Sequence, residues 1–97
     1  MENKPIFRSI QTEANTIKEA IEKLGGNPAG DKDFDWVLAN PIEARKMLKE
    51  DNVGYYFPNT LSKNQVSYLF WDKGEFLVSA EEIDYEWNPF NRIVLLD

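Results

Sequence analysis

The stretch Gln65-Val66-Ser67-Tyr68-Leu69-Phe70-Trp71-Asp72-Lys73-Gly74-Glu75-Phe76-Leu77-Val78-Ser79-Ala80 reads as two strands joined by a tight turn. Val66, Tyr68 and Phe70 alternate with Ser67, Leu69 and Trp71, which is the two-residue period of a strand. Asp72-Lys73-Gly74 supplies a three-residue hairpin loop with Gly at the left-handed position. Residues 75–80 return as the second strand. Ser79-Ala80-Glu81-Glu82 has the form of a capping box and predicts a short helical turn beginning there.

Working upstream, Val53, Tyr55 and Phe57 alternate with Gly54 and Tyr56 until Pro58 ends the run. Downstream, Asn88-Pro89 breaks the chain. Residues 92–96 are almost wholly apolar, which predicts a strand buried on both faces. The period changes in the first half. Ile10, Ala14, Ile17, Ile21 and Leu24 share one face of a 3.6-residue repeat and predict a helix over residues 9–24, stopped by Gly25-Gly26. Asn40-Pro41 predicts the start of a second helix running to about residue 50, with Asn as cap and Pro in the first turn. Residues 34–39 fit either a short strand or a single helical turn capped by Asp33.

These elements predict an α+β fold in which two N-terminal helices pack on one face of an antiparallel sheet of three to four strands. One small domain spans residues 1–97, with a helical part over about 9–50 and a β-rich acidic part over about 53–97.

Composition excludes several kinds of chemistry. The 97 residues include no Cys and no His. There is therefore no disulfide framework, no thiol nucleophile and no imidazole base or ligand. No Ser-x-x-Lys, no Gly-x-Ser-x-Gly and no glycine-rich phosphate loop occurs, so no enzyme is expected. No cofactor is expected either. Asp31-Lys32-Asp33-Phe34-Asp35 imitates the start of a calcium loop, but Trp36 stands where Gly is needed and Ile42 where a bidentate Glu is needed, so no metal site is expected. No apolar stretch reaches membrane-spanning length and no secretory signal is recognisable, which predicts a cytoplasmic protein without a membrane partner.

The most informative asymmetry is in charge. Seventeen acids against eleven bases give a net charge of −6. Up to Lys49 the chain carries eight of each; beyond it stand nine acids and three bases, so the whole excess lies in the β-rich part. That part also holds ten of the thirteen aromatics. The acidic balance argues against direct nucleic-acid binding, which needs a basic footprint.

The acids concentrate in Glu81, Glu82, Asp84 and Glu86. In an extended chain Glu82, Asp84 and Glu86 share one side, spaced by about 6.7 Å. Ile83, Tyr85 and Trp87 then share the other. In a helix Glu82 and Glu86 still share a face. Such a row either keeps a connector solvated or steers a cationic partner. Glu81, Glu82, Asp84, Tyr85, Glu86 and Trp87, together with Trp71 before the hairpin turn, are the candidate protein-binding residues.

Three functions fit. The first is a non-enzymatic module, an inhibitor in its sharpest form, that binds a basic or nucleic-acid-handling protein through this acidic and aromatic surface. The second is a domain that holds a nucleotide or metabolite in an aromatic pocket, for which Trp36, Trp71 and Trp87 are cage candidates. The third is a structural homodimer. The small, acidic, Cys-free character is that of many phage and mobile-element proteins, which is an analogy of composition alone.

Overall fold

The computed structural model describes residues 4–97 as a mixed α+β fold with six strands and three helices. The strands are β1 (Phe7–Ile10), β2 (Asn27–Pro28), β3 (Tyr55–Ser62), β4 (Gln65–Asp72), β5 (Glu75–Glu82) and β6 (Arg92–Leu96). The helices are α1 (Ile17–Lys23), α2 (Asp31–Ala39) and α3 (Pro41–Arg45). No described helix is long and apolar enough to cross a membrane.

The sheet runs β1-β6-β3-β4-β5, with β2 also paired to β6. All pairings are antiparallel except β3 with β6, where Tyr55 and Tyr56 lie beside Arg92 and Ile93 in parallel. The sheet is thus larger than the expected three to four strands, and mixed. The helices also lie on both faces instead of one. Alternation on the central strands requires this. Tyr55 and Phe57 of β3 and Val94 of β6 join Phe34, Val37, Ala44 and Leu48 of the α2–α3 region in one core. Tyr56, Ile93 and Leu95 face the other way and join Ile17 and Ala20 of α1, with Val66 and Trp87. Two strands apolar on both faces need a cover on each.

The expected helix over residues 9–24 is shorter by half. Ile10 belongs to β1 and pairs with Ile93. Thr16 caps α1, its Oγ1 accepting from the Glu19 backbone N–H at 3.2 Å. Glu19 reaches back to the Asn15 N–H at 3.0 Å. Thr16-x-x-Glu19 is therefore the true start signal. Ile10, Ala14, Ile21 and Leu24 still pack against one cluster, so their shared face reflects shared burial and not one continuous helix. Residues 34–39 form the body of α2, where Asp33 accepts from the Gly30 N–H at 2.8 Å.

Both hairpins close through two residues in the left-handed region: Lys63 and Asn64 (φ 51° and 64°), then Lys73 and Gly74 (φ 50° and 86°). Asp72 pairs directly with Glu75, so the expected three-residue loop is a two-residue turn. Residues 79–82 start no helix, because Glu81 and Glu82 pair with Val66 and Gln65 and prolong β5.

Pro58 does not end β3. Between Phe57↔Ser67 and Ser62↔Gln65, β3 advances five residues while β4 advances two. The surplus bulges toward β2, where Asn59 N donates to Ala29 O at 2.9 Å. Thr60 fills the gap in the ladder. Its hydroxyl donates to Phe57 O at 2.6 Å and accepts from Ser67 N at 2.9 Å. Thr60→Val keeps the shape and strands the Ser67 N–H, so it should cost about 1–3 kcal/mol in urea unfolding.

Candidate protein-binding surface

The acidic connection is built by the amide groups it satisfies. The first turn of a helix leaves N–H groups without internal partners. In α1, Ile17 N donates to Tyr85 O at 3.0 Å and Lys18 N donates to Ile83 O at 2.8 Å. The connection is pinned from its other side as well. Ile83 N donates to Asn64 O at 2.9 Å, Tyr85 N to Glu82 O at 3.0 Å, and Trp87 N to Asn15 O at 3.1 Å. Residues 83–87 therefore lie across the N-terminus of α1 with their backbone committed inward.

That commitment turns the charged side chains out. Glu82, Asp84, Tyr85 and Glu86 are exposed, Tyr85 at 59%. Glu81 is half-buried, and its Oε1 accepts from Glu82 N at 3.2 Å. Among the described residues the ion pairs lie elsewhere: Lys4 and Lys46 with Glu43, Arg8 with Asp97, Arg45 with Asp51, and Arg92 with Glu50. No ion pair there involves Glu81, Glu82, Asp84 or Glu86.

The expected grouping needs two corrections. Trp87 is only 5% exposed and packs edge-on against Tyr56, with ring centroids 5.2 Å apart. Its indole N–H donates to Thr12 O at 2.9 Å. It supports the surface from beneath and offers no face to a partner. Trp71 lies at the far end of the hairpin, paired with Phe76, while Glu82 pairs with Gln65. Six residue steps along β5 separate Phe76 from Glu82, about 20 Å at strand rise. Trp71 instead packs on Phe76 at 4.9 Å and lies beneath the Arg45 guanidinium at 4.6 Å. With Trp36 packed against Phe7 on the α2 side, the three tryptophans form no cage.

Sequence reasoning missed Phe90. It is 70% exposed, on a turn where Asn88 Oδ1 accepts from Phe90 N at 2.9 Å. Asn88-Pro89 marked the turn, but nothing in it marked the ring as exposed. Phe90 and Pro89 flank a shallow recess with Gln11, Thr12 and Glu13, adjoining the segment that holds the Trp87 indole.

Two other recesses have their own linings, one beside α2 and one over the Tyr56 ring that packs on Trp87. A wide cleft of about 630 Å³ runs beside α2, lined by Pro5, Lys32, Asp33, Trp36 and Asn40 among others. Asp31, Asp33 and Asp35 lie in the first turns of α2, and among the described residues no three or more acidic side chains converge as a set of metal ligands. A groove of about 340 Å³ lies over Gly54, Tyr56, Tyr68, Phe70 and Asn91. There Tyr56 and Tyr68 stack at 4.6 Å, and a Cβ on Gly54 would meet the Tyr56 ring at 3.0 Å.

Burial is the main cause that pushes the Tyr56 phenol well above its ordinary value near 10, and it raises Tyr55 in the same direction. A phenol whose folded pKa exceeds its unfolded one stabilises the fold fully below pH 10 and loses that contribution as pH rises through the folded value. Stability should therefore decline above about pH 10. Tyr56→Phe should flatten that decline, as read by urea unfolding across the alkaline range.

Comparison with protein families, curated proteins and solved structures finds no match to this chain.

Proposed function

We propose that this protein is a non-enzymatic binding module that engages a basic protein through Glu82, Asp84, Tyr85 and Glu86, with Phe90 at the rim. The carrying observation is the absence, among the described residues, of any ion pair to these acids, on a backbone fixed by hydrogen bonds to α1 and to the neighbouring hairpin. Exposed carboxylates on a backbone already held by hydrogen bonds present charge without the entropy cost of ordering a loop on binding. It complements a groove that normally takes the phosphates of a nucleic acid, so the partner is a protein that handles nucleic acid and the action is inhibition by occupancy. The test is capture from bacterial lysate on the tagged full chain, eluted by stepwise salt. A stoichiometric partner rich in Lys and Arg, released as salt rises, supports the reading. No retained protein at low salt overturns it.

The aromatic groove over Gly54, Tyr56, Tyr68 and Phe70 favours a second reading, a flat small molecule stacked on Tyr68 and Phe70. Thermal shift against a pool of nucleotides and metabolites tests it, and no stabilisation by any of them counts against it.

A further inference from the structure

Strand β5 ends the sheet, and among the described residues its outer edge pairs with nothing. The two-residue turn at Lys73-Gly74 makes Asp72 and Glu75 a hydrogen-bonded pair. Alternation then directs the N–H and C=O groups of Leu77, Ser79 and Glu81 toward β4. The same alternation carries on to Ile83, whose N–H donates to Asn64 O. Phe76, Val78, Ala80 and Glu82 therefore direct theirs outward. Tyr85 N occupies the Glu82 carbonyl, which leaves an open edge at Phe76, Val78 and Ala80.

Natural edges are blunted by Lys, Pro or bulges. Residues 76–80 contain no charge and no Pro, and the β4 register is unbroken from Glu75 to Glu82. Val78 is 51% exposed. The charges sit only at the two ends, Glu75 before and Glu81-Glu82 after.

Those ends choose the occupant. A second copy using all three outward residues would place Val78 on the two-fold axis. Glu75 would then face Glu81 of the other copy at both ends of the pairing, and like charges directly opposite are destabilising. An extended segment with Lys or Arg at each end meets no such penalty and gains at both ends. We propose that the partner adds such a segment as a seventh strand on β5, with apolar or β-branched residues between its basic ends. The proposal rests on the reading above for the partner's basic character. The edge is continuous with the acidic connection through Glu82, so one partner can engage both.

The test is selection of a random twelve-residue peptide display library on the immobilised full chain, followed by synthesis of the tightest peptide. Strand addition predicts basic residues flanking an apolar run. N-methylation of one alternating set of peptide amides should then weaken binding by at least about tenfold, and the other set by less than about threefold. The Phe76, Val78 and Ala80 amides should gain protection from hydrogen exchange by NMR. Equal sensitivity of the two sets, or no protection at those amides, overturns the proposal. Basic peptides that shift Tyr85 and Phe90 instead overturn strand addition and leave the acidic-connection reading standing. Selected peptides without basic residues, or no selected peptide, overturn both. A solution mass that doubles with concentration, with the same three amides protected, gives the edge to a second copy and overturns the proposal.

Discussion

Trp87→Ala should lower the unfolding free energy by about 3–5 kcal/mol, the range for removing a large aromatic from a core. Small domains carry only about 5–15 kcal/mol in all, so this single change brings the protein near its unfolding threshold. The indole is 5% exposed and shares a cluster with Ile17, Ala20, Tyr56, Val66, Ile93 and Leu95. It also joins two distant segments, because its N–H holds Thr12 O, 75 residues away in sequence. Trp87→Phe separates the two roles. It keeps most of the apolar volume and leaves Thr12 O without its donor, which should cost about 1–2 kcal/mol. Urea unfolding followed by circular dichroism reads both. A loss below about 1 kcal/mol for Trp87→Ala would place the indole outside the core.

The second large effect is on binding. Reversing Glu82, Asp84 and Glu86 to Lys adds two charges at each position and takes the net charge from −6 to 0. Electrostatic steering contributes about 10- to 1,000-fold to association rates. The triple variant should lose most of that at low salt, and its rate should become nearly independent of ionic strength. The fold should tolerate the change. The three side chains are exposed and, among the described residues, unpaired. Placing cations near the N-terminus of α1 costs about 0.3–1 kcal/mol each. Stopped-flow mixing with the captured partner, beside a urea unfolding curve, distinguishes lost steering from lost structure. An unchanged association rate would remove the charge row from the account.

What the sequence made legible had strong local signals. The 65–80 hairpin carried alternation and a turn. The Asn40-Pro41 start of α3 was marked by its proline; Asn40 makes no side-chain cap bond to α3 and its Nδ2 instead donates to Trp36 O, and the helix ends at Arg45, short of the expected residue 50. The near-uniform apolarity of residues 92–96, broken only by Arg92, marked a strand covered on both sides. The last signal already implied helices on two faces, since a centre strand with apolar residues on both sides cannot leave one in water. Strands β1 and β2 are too short to show a period, at four and two residues. Ile10 and Ala14 matched helical spacing while serving a strand and a loop. The parallel pairing of β3 with β6 joins segments about 37 residues apart in sequence and leaves no local trace.

The acidic connection was legible as charge and not as shape. An extended chain would set Ile83, Tyr85 and Trp87 on one side. The turn at residues 83–84 breaks that alternation, so Ile83 and Trp87 pack toward the core while Tyr85 faces outward. Trp71 was misplaced for a topological reason: nearness in the hairpin sequence says nothing about which end of the sheet a ring occupies. The left-handed Asn64 and the ladder role of Thr60 were equally hidden. Each depends on a cross-strand partner whose register the sequence alone does not fix.

The most direct test of the binding surface is an NMR titration of the ¹⁵N-labelled full chain with the most Lys- and Arg-rich protein it captures. The largest shift changes should fall on Glu82, Asp84, Tyr85, Glu86 and Phe90, and should vanish as salt is raised. Shift changes confined to the groove over Gly54, Tyr68 and Phe70, or to the cleft beside α2, would contradict that expectation.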